Sequence, residues 1–193
     1  QHSQRPAVDP VQISIFAGDH GVVAEGVSAV PQIVTVEMQR NFVNGGAAIS
    51  VLARQLGATL EVINTGTLAN PADLPRVIHE PVAPQTQNFC EGDAMTGAQW
   101  QQALTIGRRA VQRAEQHQAQ LFIGGEMGIG NTTTATALLC ALTGLTPDDI
   151  TGAGTGLDSA GVVHKIKVIE RALEKHQDIL HDPAAVSRAL GGF

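Results

Sequence analysis

A single carboxylate, Glu126, stands inside the run Gly124-Gly125-Glu126-Met127-Gly128-Ile129-Gly130-Asn131-Thr132-Thr133-Thr134. Glycines let backbone N–H groups approach a ligand closely, and the N-terminus of a following helix favours an anion. A carboxylate beside an anion site is costly unless it serves another part of the same ligand, such as a ribose hydroxyl or a developing positive charge. The spacing is neither that of the phosphate loop ending in Gly-Lys-Ser/Thr nor Gly-x-Gly-x-x-Gly, and a purely structural turn is the competing reading. A second cluster, Ala17-Gly18-Asp19-His20-Gly21, sets an acid beside an imidazole. Adjacent residues seldom converge on one atom, so metal binding or proton transfer competes there with a pair of loop-fixing hydrogen bonds.

The third cluster, Gly152-Ala153-Gly154-Thr155-Gly156-Leu157-Asp158, is another glycine-rich turn, with Ser159 able to cap the helix that follows. In that helix Val162, Ile166, Ile169 and Leu173 form an apolar stripe suited to packing on a sheet. Lys165 falls at the edge of the stripe, about 60° from Val162 at 3.6 residues per turn, and Lys167, Arg171 and Lys175 take the polar side. Lys165 either carries its ammonium out to solvent or turns towards an anion held by the neighbouring turns.

Alternating strands and helices position these clusters. Val11–Phe16 reads as a strand, Ile33–Phe42 and Ala47–Leu56 as helices, and Thr59–Asn64 as a strand. Pro71–Pro84 is the least regular stretch and reads as a surface excursion. Thr96-Gly97-Ala98-Gln99 has capping-box spacing and opens a helix to about Gln116. Leu121–Ile123 is a strand, Thr132–Leu142 a helix, and Thr146-Pro147 a further helix start. Strands separated by helices predict a parallel sheet covered on its faces, with ligands at the carboxyl ends of the strands, where the glycine clusters lie.

Bulk properties narrow the function. An aromatic content of 3% with no Tyr argues against a nucleic-acid binder built on base stacking. A net charge of −6 argues against polyanions, so any phosphate site must be local. Cys90 and Cys140 lack the paired spacing of a metal site or disulfide framework, which predicts a reducing cytoplasm. No membrane span or signal peptide is read. The 193 residues are read as one α/β domain, 1–193, cut at both ends: the chain starts at Gln1 and stops at Phe193 just after a helix.

Several motifs in fixed order resemble one family. Phe16-Ala17-Gly18-Asp19-His20-Gly21-Val22-Val23, then Val27-Ser28-Ala29-Val30-Pro31-Gln32 with Val34-Thr35, then Asn44-Gly45-Gly46-Ala47-Ala48-Ile49 resemble the nicotinate-nucleotide:dimethylbenzimidazole phosphoribosyltransferases of cobalamin nucleotide-loop assembly. Gly125–Thr133 and Gly154-Thr155-Gly156-Leu157-Asp158 followed by Lys165 carry the same resemblance, which spans essentially the whole chain.

The resemblance implies a Rossmann-like, three-layer α/β fold with helices on both faces of a parallel sheet, and with the family's smaller helical domain largely missing. It implies transfer of the 5-phosphoribosyl group from nicotinate mononucleotide to 5,6-dimethylbenzimidazole, giving α-ribazole 5′-phosphate and nicotinate. By motif, Glu126 and Lys165 are the catalytic residues, at the ribosyl group and the phosphate. Met127, Gly128, Ile129, Asn131, Gly154, Thr155 and Gly156 bind substrate, with Asp19 and His20. Val30–Met38 lines the base pocket, where Val30 and Met38 stand in place of polar residues found in some members. The family's general base, a glutamate, lies in a segment beyond Phe193, so the chain alone is expected to bind weakly and turn over slowly or not at all. A homodimer is implied, with Pro71–Pro84 or the exposed face of Ile33–Phe42 as contributing surface. No metal, cofactor, nucleic acid or membrane partner is expected. The alternatives are a non-catalytic module for anionic nucleotides, or a relative acting on another aromatic base.

Overall fold

A computed structural model describes residues 4, 7–69, 71 and 74–193. Four parallel strands form one sheet in the order β3-β2-β1-β4: β1 Val11–Gly18, β2 Thr59–Gly66, β3 Val77–His79 and β4 Leu121–Met127. The chain starts at β1, moves outward through β2 and β3, then returns to β4 on the other side of β1. The order therefore reverses between β1 and β4, the switch point at which open α/β sheets form their ligand crevice.

Alternation along β1 divides the core. Ile13 and Ile15 face helices α1 (Ile33–Asn44) and α2 (Ala48–Leu56), joining Phe42, Ala53, Val62 and Val77 in one buried cluster. On the opposite face Phe16, Ile63 and Phe122 pack against Ile106 and Ala110 of α3 (Gly97–Gln116). Three layers result. The α3 face also carries a polar seam, in which Ser14 donates to Glu61 at 2.6 Å and Arg113 Nε donates to Glu61 at 2.8 Å. The predicted capping box opens α3: Gln99 N donates to Thr96 Oγ1 at 3.2 Å, and Thr96 N to Gln99 Oε1 at 2.8 Å.

A third cluster is helical. It gathers Val22 and Val27 with Ala137 of α4 (Asn131–Thr143), Val168, Ile169 and Ala172 of α6 (Ser159–Lys175), and Val186, Ala189 and Leu190 of α7 (Pro183–Leu190). The short α5 (Pro147–Ile150) precedes the turn leading into α6. Among the described residues no helix is long and apolar enough to cross a membrane.

Several expectations are corrected. Helix α6 packs on α4 and the short α5 rather than on the sheet, and joins α4 and α7 in one buried cluster. Its buried face is Lys165, Val168, Ile169, Ala172 and His176, rotated by about 70° from the stripe of Val162, Ile166, Ile169 and Leu173 at 3.6 residues per turn. Asp158, not Ser159, caps it, its carboxylate accepting from Gly161 N at 2.8 Å. The stretch Pro71–Pro84 contains edge strand β3, with Leu74 and Val77 buried in the core; its residues 72–73 lie outside the described residues. Strand β4 runs on through Met127, because pairing with β1 holds Gly124, Gly125 and Glu126 in register with Ser14, Ile15 and Phe16. The glycine turn is thus only Gly128-Ile129-Gly130.

Candidate functional site

The two strand ends at the switch point carry Asp19-His20 after β1 and Gly128-Ile129-Gly130 after β4. Asp19 is buried and accepts from Thr35 Oγ1 at 2.7 Å and from Leu68 N at 3.0 Å. Burial raises its pKa, against the two hydrogen bonds that lower it. Thr35 Oγ1 in turn accepts the Ile129 N–H at 3.2 Å. The carboxylate of Asp19 therefore sets the glycine turn through one hydroxyl. Ile129 contributes to any pocket by shape, since its N–H is already engaged.

His20 points away from Asp19. Its Nδ1 lies 3.1 Å from Thr134 Oγ1 in α4, and burial pushes the imidazole down to about 4, so it is neutral at physiological pH. His20 fills the space that side chains on three glycines would need, its ring at Gly128 and Gly192 and its Cβ at Gly130. A Cβ on Gly128 would stand 3.0 Å from Nε2, one on Gly192 2.5 Å from Cε1, and one on Gly130 3.1 Å from the His20 Cβ. Gly130 also has φ +95, which disfavours other residues. Both members of the pair are loop-fixing groups: they diverge, and they pin different elements.

Lys165 is wholly buried, which corrects its edge position and removes the route to solvent, one of its two readings. Its Nζ donates to Thr132 Oγ1 at 2.8 Å and to the Gly152 carbonyl at 3.2 Å. An ammonium has three donors, so one remains. Burial alone lowers its pKa, with no carboxylate beside it among the described residues. A buried cation without a counter-ion is unfavourable in an empty fold and complementary to an arriving anion. It sits where the first turn of α4 meets the turn at Gly152–Gly156, with a Cβ on Gly154 falling 2.7 Å from Thr132 Oγ1 and 3.1 Å from Nζ.

Glu126 occupies a different wall. Its register partner Phe16 places it on the α3 side of the sheet, in a cavity of about 320 Å³ lined also by Trp100, Leu104, Gly107, Ser187 and Phe193. The side chain keeps contact with solvent, yet its apolar neighbours desolvate the carboxylate and raise its pKa. No ion pair joins Glu126 to Lys165, so the chain holds an acid and a cation apart. A hollow of about 730 Å³ lies beyond β2 and β3, among Asn64, Thr67, Leu68 and His79. Its described lining carries no Lys or Arg, so an anion is better matched at Lys165.

Val30 is half-buried; Met38 lies one turn beyond Thr35 on α1 and packs, like Met127, against the Ile13–Ile15 cluster. Asn131 opens α4, its N–H given to the Gly128 carbonyl at 3.0 Å. The exposed Gly154-Thr155-Gly156 docks on Ser28 and Ala29 through the Thr155 hydroxyl. Trp100 stands outside every motif of the sequence, while Thr35, Thr132 and Thr134 stand within motifs that assign them no role of their own. A signal for Thr35 existed: it and Gln39, four residues apart, are polar residues on the otherwise apolar face of α1.

Together these features define an open parallel α/β protein whose switch-point crevice joins a glycine turn, a helix start and an unpaired buried lysine. The chain belongs to the phosphoribosyltransferase family whose model matches residues 1–193. It is 58% identical to the nicotinate-nucleotide–dimethylbenzimidazole phosphoribosyltransferase of Pseudomonas fluorescens (strain SBW25), over 100% of this chain and 55% of that protein. Identity to the enzyme of that name from Xanthomonas oryzae pv. oryzae (strain PXO99A) is 54% over the same shares. The crystal structure of CobT from Thermus thermophilus superposes with a TM-score of 0.89 at 41% identity, covering 97% of this chain and 56% of that one. The chain thus spans about half the length of the relatives it matches.

Proposed function

We propose that the protein to which this chain belongs transfers the 5-phosphoribosyl group of nicotinate mononucleotide to 5,6-dimethylbenzimidazole, giving α-ribazole 5′-phosphate and nicotinate. One observation carries the proposal beyond the relatives' names: the buried, unpaired ammonium of Lys165 at the start of α4. It suits the phosphate of the donor, with the turns at Gly128–Asn131 and Gly154–Gly156 as walls for phosphate and ribose. Nicotinate leaves a pyridinium nucleotide as a neutral ring nitrogen, so departure needs no general acid. Positive charge develops on the ribosyl carbon instead, and the partly desolvated carboxylate of Glu126 offsets it more strongly than a fully hydrated one would. Inversion at C1′ requires the azole on the opposite face, which Val30–Met38 lines. Proton removal from the azole falls to a general base beyond residue 193.

A related enzyme acting on other aromatic bases is the second possibility, favoured by the apolar Val30 and Met38 where polar contacts to the base would otherwise arise. The protein works as a cytoplasmic homodimer in this proposal, supported by the exposed apolar Ile33, Val51, Leu52 and Leu56 on α1 and α2. Incubating the full-length protein with nicotinate mononucleotide and a panel of azoles, followed by chromatography, tests the reaction. α-Ribazole 5′-phosphate as the main product supports it; preference for another azole selects the second possibility; no phosphoribosylated azole sinks both.

A further inference from the structure

We infer that Thr155 is a positioning residue that couples the phosphate side of the site to the base side; the inference rests on the reaction proposed above. Three hydroxyl and amide groups form one directed chain. Ala29 N–H donates to Thr155 Oγ1 at 2.9 Å, and Thr155 Oγ1 lies 3.0 Å from Ser28 Oγ. Ser28 Oγ donates to the Val30 carbonyl at 2.8 Å and accepts the Val30 N–H at 3.2 Å. The Ser28 proton is therefore spent on Val30, and the proton between the two hydroxyls belongs to Thr155. Both peptide groups of Val30, the first residue of the base-lining segment, are fixed by a side chain that Thr155 holds.

The other end of the turn touches Lys165. Gly152 accepts from Nζ at 3.2 Å, and Gly154 approaches it so closely that a Cβ would stand 3.1 Å away. An anion that draws Nζ towards itself therefore pulls on a turn whose next residue is bonded to Ser28 and Ala29. Residues Gly152–Gly156 are all exposed and contribute no side chain to any core cluster. The tie thus adds little to global stability. It fixes local geometry, and by linkage a donor that orders the turn tightens binding of the azole by the same factor as the azole tightens binding of the donor.

The test uses the full-length protein with Thr155→Val, which keeps the shape and removes the hydroxyl, Thr155→Ser, which keeps the hydroxyl, and Ser28→Ala. In Thr155→Val and Ser28→Ala the KM for dimethylbenzimidazole is expected to rise about three- to tenfold, the loss of one or two exposed hydrogen bonds. The ratio of azole affinities with and without nicotinate mononucleotide should fall towards one, and Thr155→Ser should restore both values. A merely structural turn would shift the melting temperature and leave that ratio unchanged. An active wild type whose Thr155→Val variant keeps the azole KM and the affinity ratio overturns the coupling alone. A wild type without transfer activity overturns the proposed reaction, and the coupling with it.

Discussion

At the scale of single residues, the crevice holds two ionisable groups whose pKa values burial lowers. Lys165 is a buried cation without an anion, and His20 is an imidazole kept neutral by desolvation. The histidine has a measurable consequence. Its folded pKa of about 4 lies below the ordinary value of 6.5, so the unfolded chain binds the extra proton first and stability falls as pH drops from 6.5 towards 4. At about 1.4 kcal/mol per pKa unit the full penalty is about 3 kcal/mol. Denaturant titrations of wild type and His20→Gln between pH 7 and 4 should show a shallower acid loss in the variant. Equal slopes would mean that His20 titrates normally and does not plug the three glycines.

At the scale of elements, the glycine turn after β4 is the critical joint. A methyl group on Gly128 would overlap the carbonyl oxygen of Gly18 and crowd His20 Nε2 at 3.0 Å. Backbone cannot yield as a flexible side chain can, so Gly128→Ala should displace the β4–α4 connection and lower stability by about 1–3 kcal/mol. It should also weaken nicotinate mononucleotide binding in the full-length protein. Calorimetric melting and titration of the same sample check both. Substitution at Gly97, which has open space around its Cβ position, supplies a neutral control. The helices and strands that bear on this joint were legible in the sequence because their patterns are local: β-rich runs in Val11–Phe16 and Thr59–Asn64, the capping box at Thr96 and Gln99. What was not legible depended on partners far along the chain. Gly124-Gly125-Glu126 looks like a turn until β1 pairs with it, and Val77–His79 looks irregular until β2 recruits it. The apolar stripe of α6 lies about 70° from the buried face because the small Ala172, which shares a buried cluster with α4 and α7, marks burial less strongly in sequence than Val162 and Ile166. That rotation moved Lys165 from an edge to the centre of a buried face.

At the scale of the whole molecule, the chain supplies the switch-point crevice of a phosphoribosyltransferase fold, and spans about half the length of the relatives it matches. Its net charge of −6 repels phosphates at long range, so the proposed recognition of a nucleotide would rest on local donors, above all Lys165. That demand is sharp enough to test directly. Nicotinate mononucleotide is titrated calorimetrically into the full-length protein and into Lys165→Met, a variant that keeps most of the volume and removes an unpaired buried charge. The variant should be at least as stable as the wild type, since replacing a buried charge by an apolar side chain is often neutral or stabilising. Its affinity for the nucleotide should fall about 10- to 100-fold, the loss of one charge-assisted hydrogen bond to phosphate. A folded Lys165→Met that binds nicotinate mononucleotide as tightly as the wild type would contradict the placement of the phosphate, and with it the site proposed for this chain.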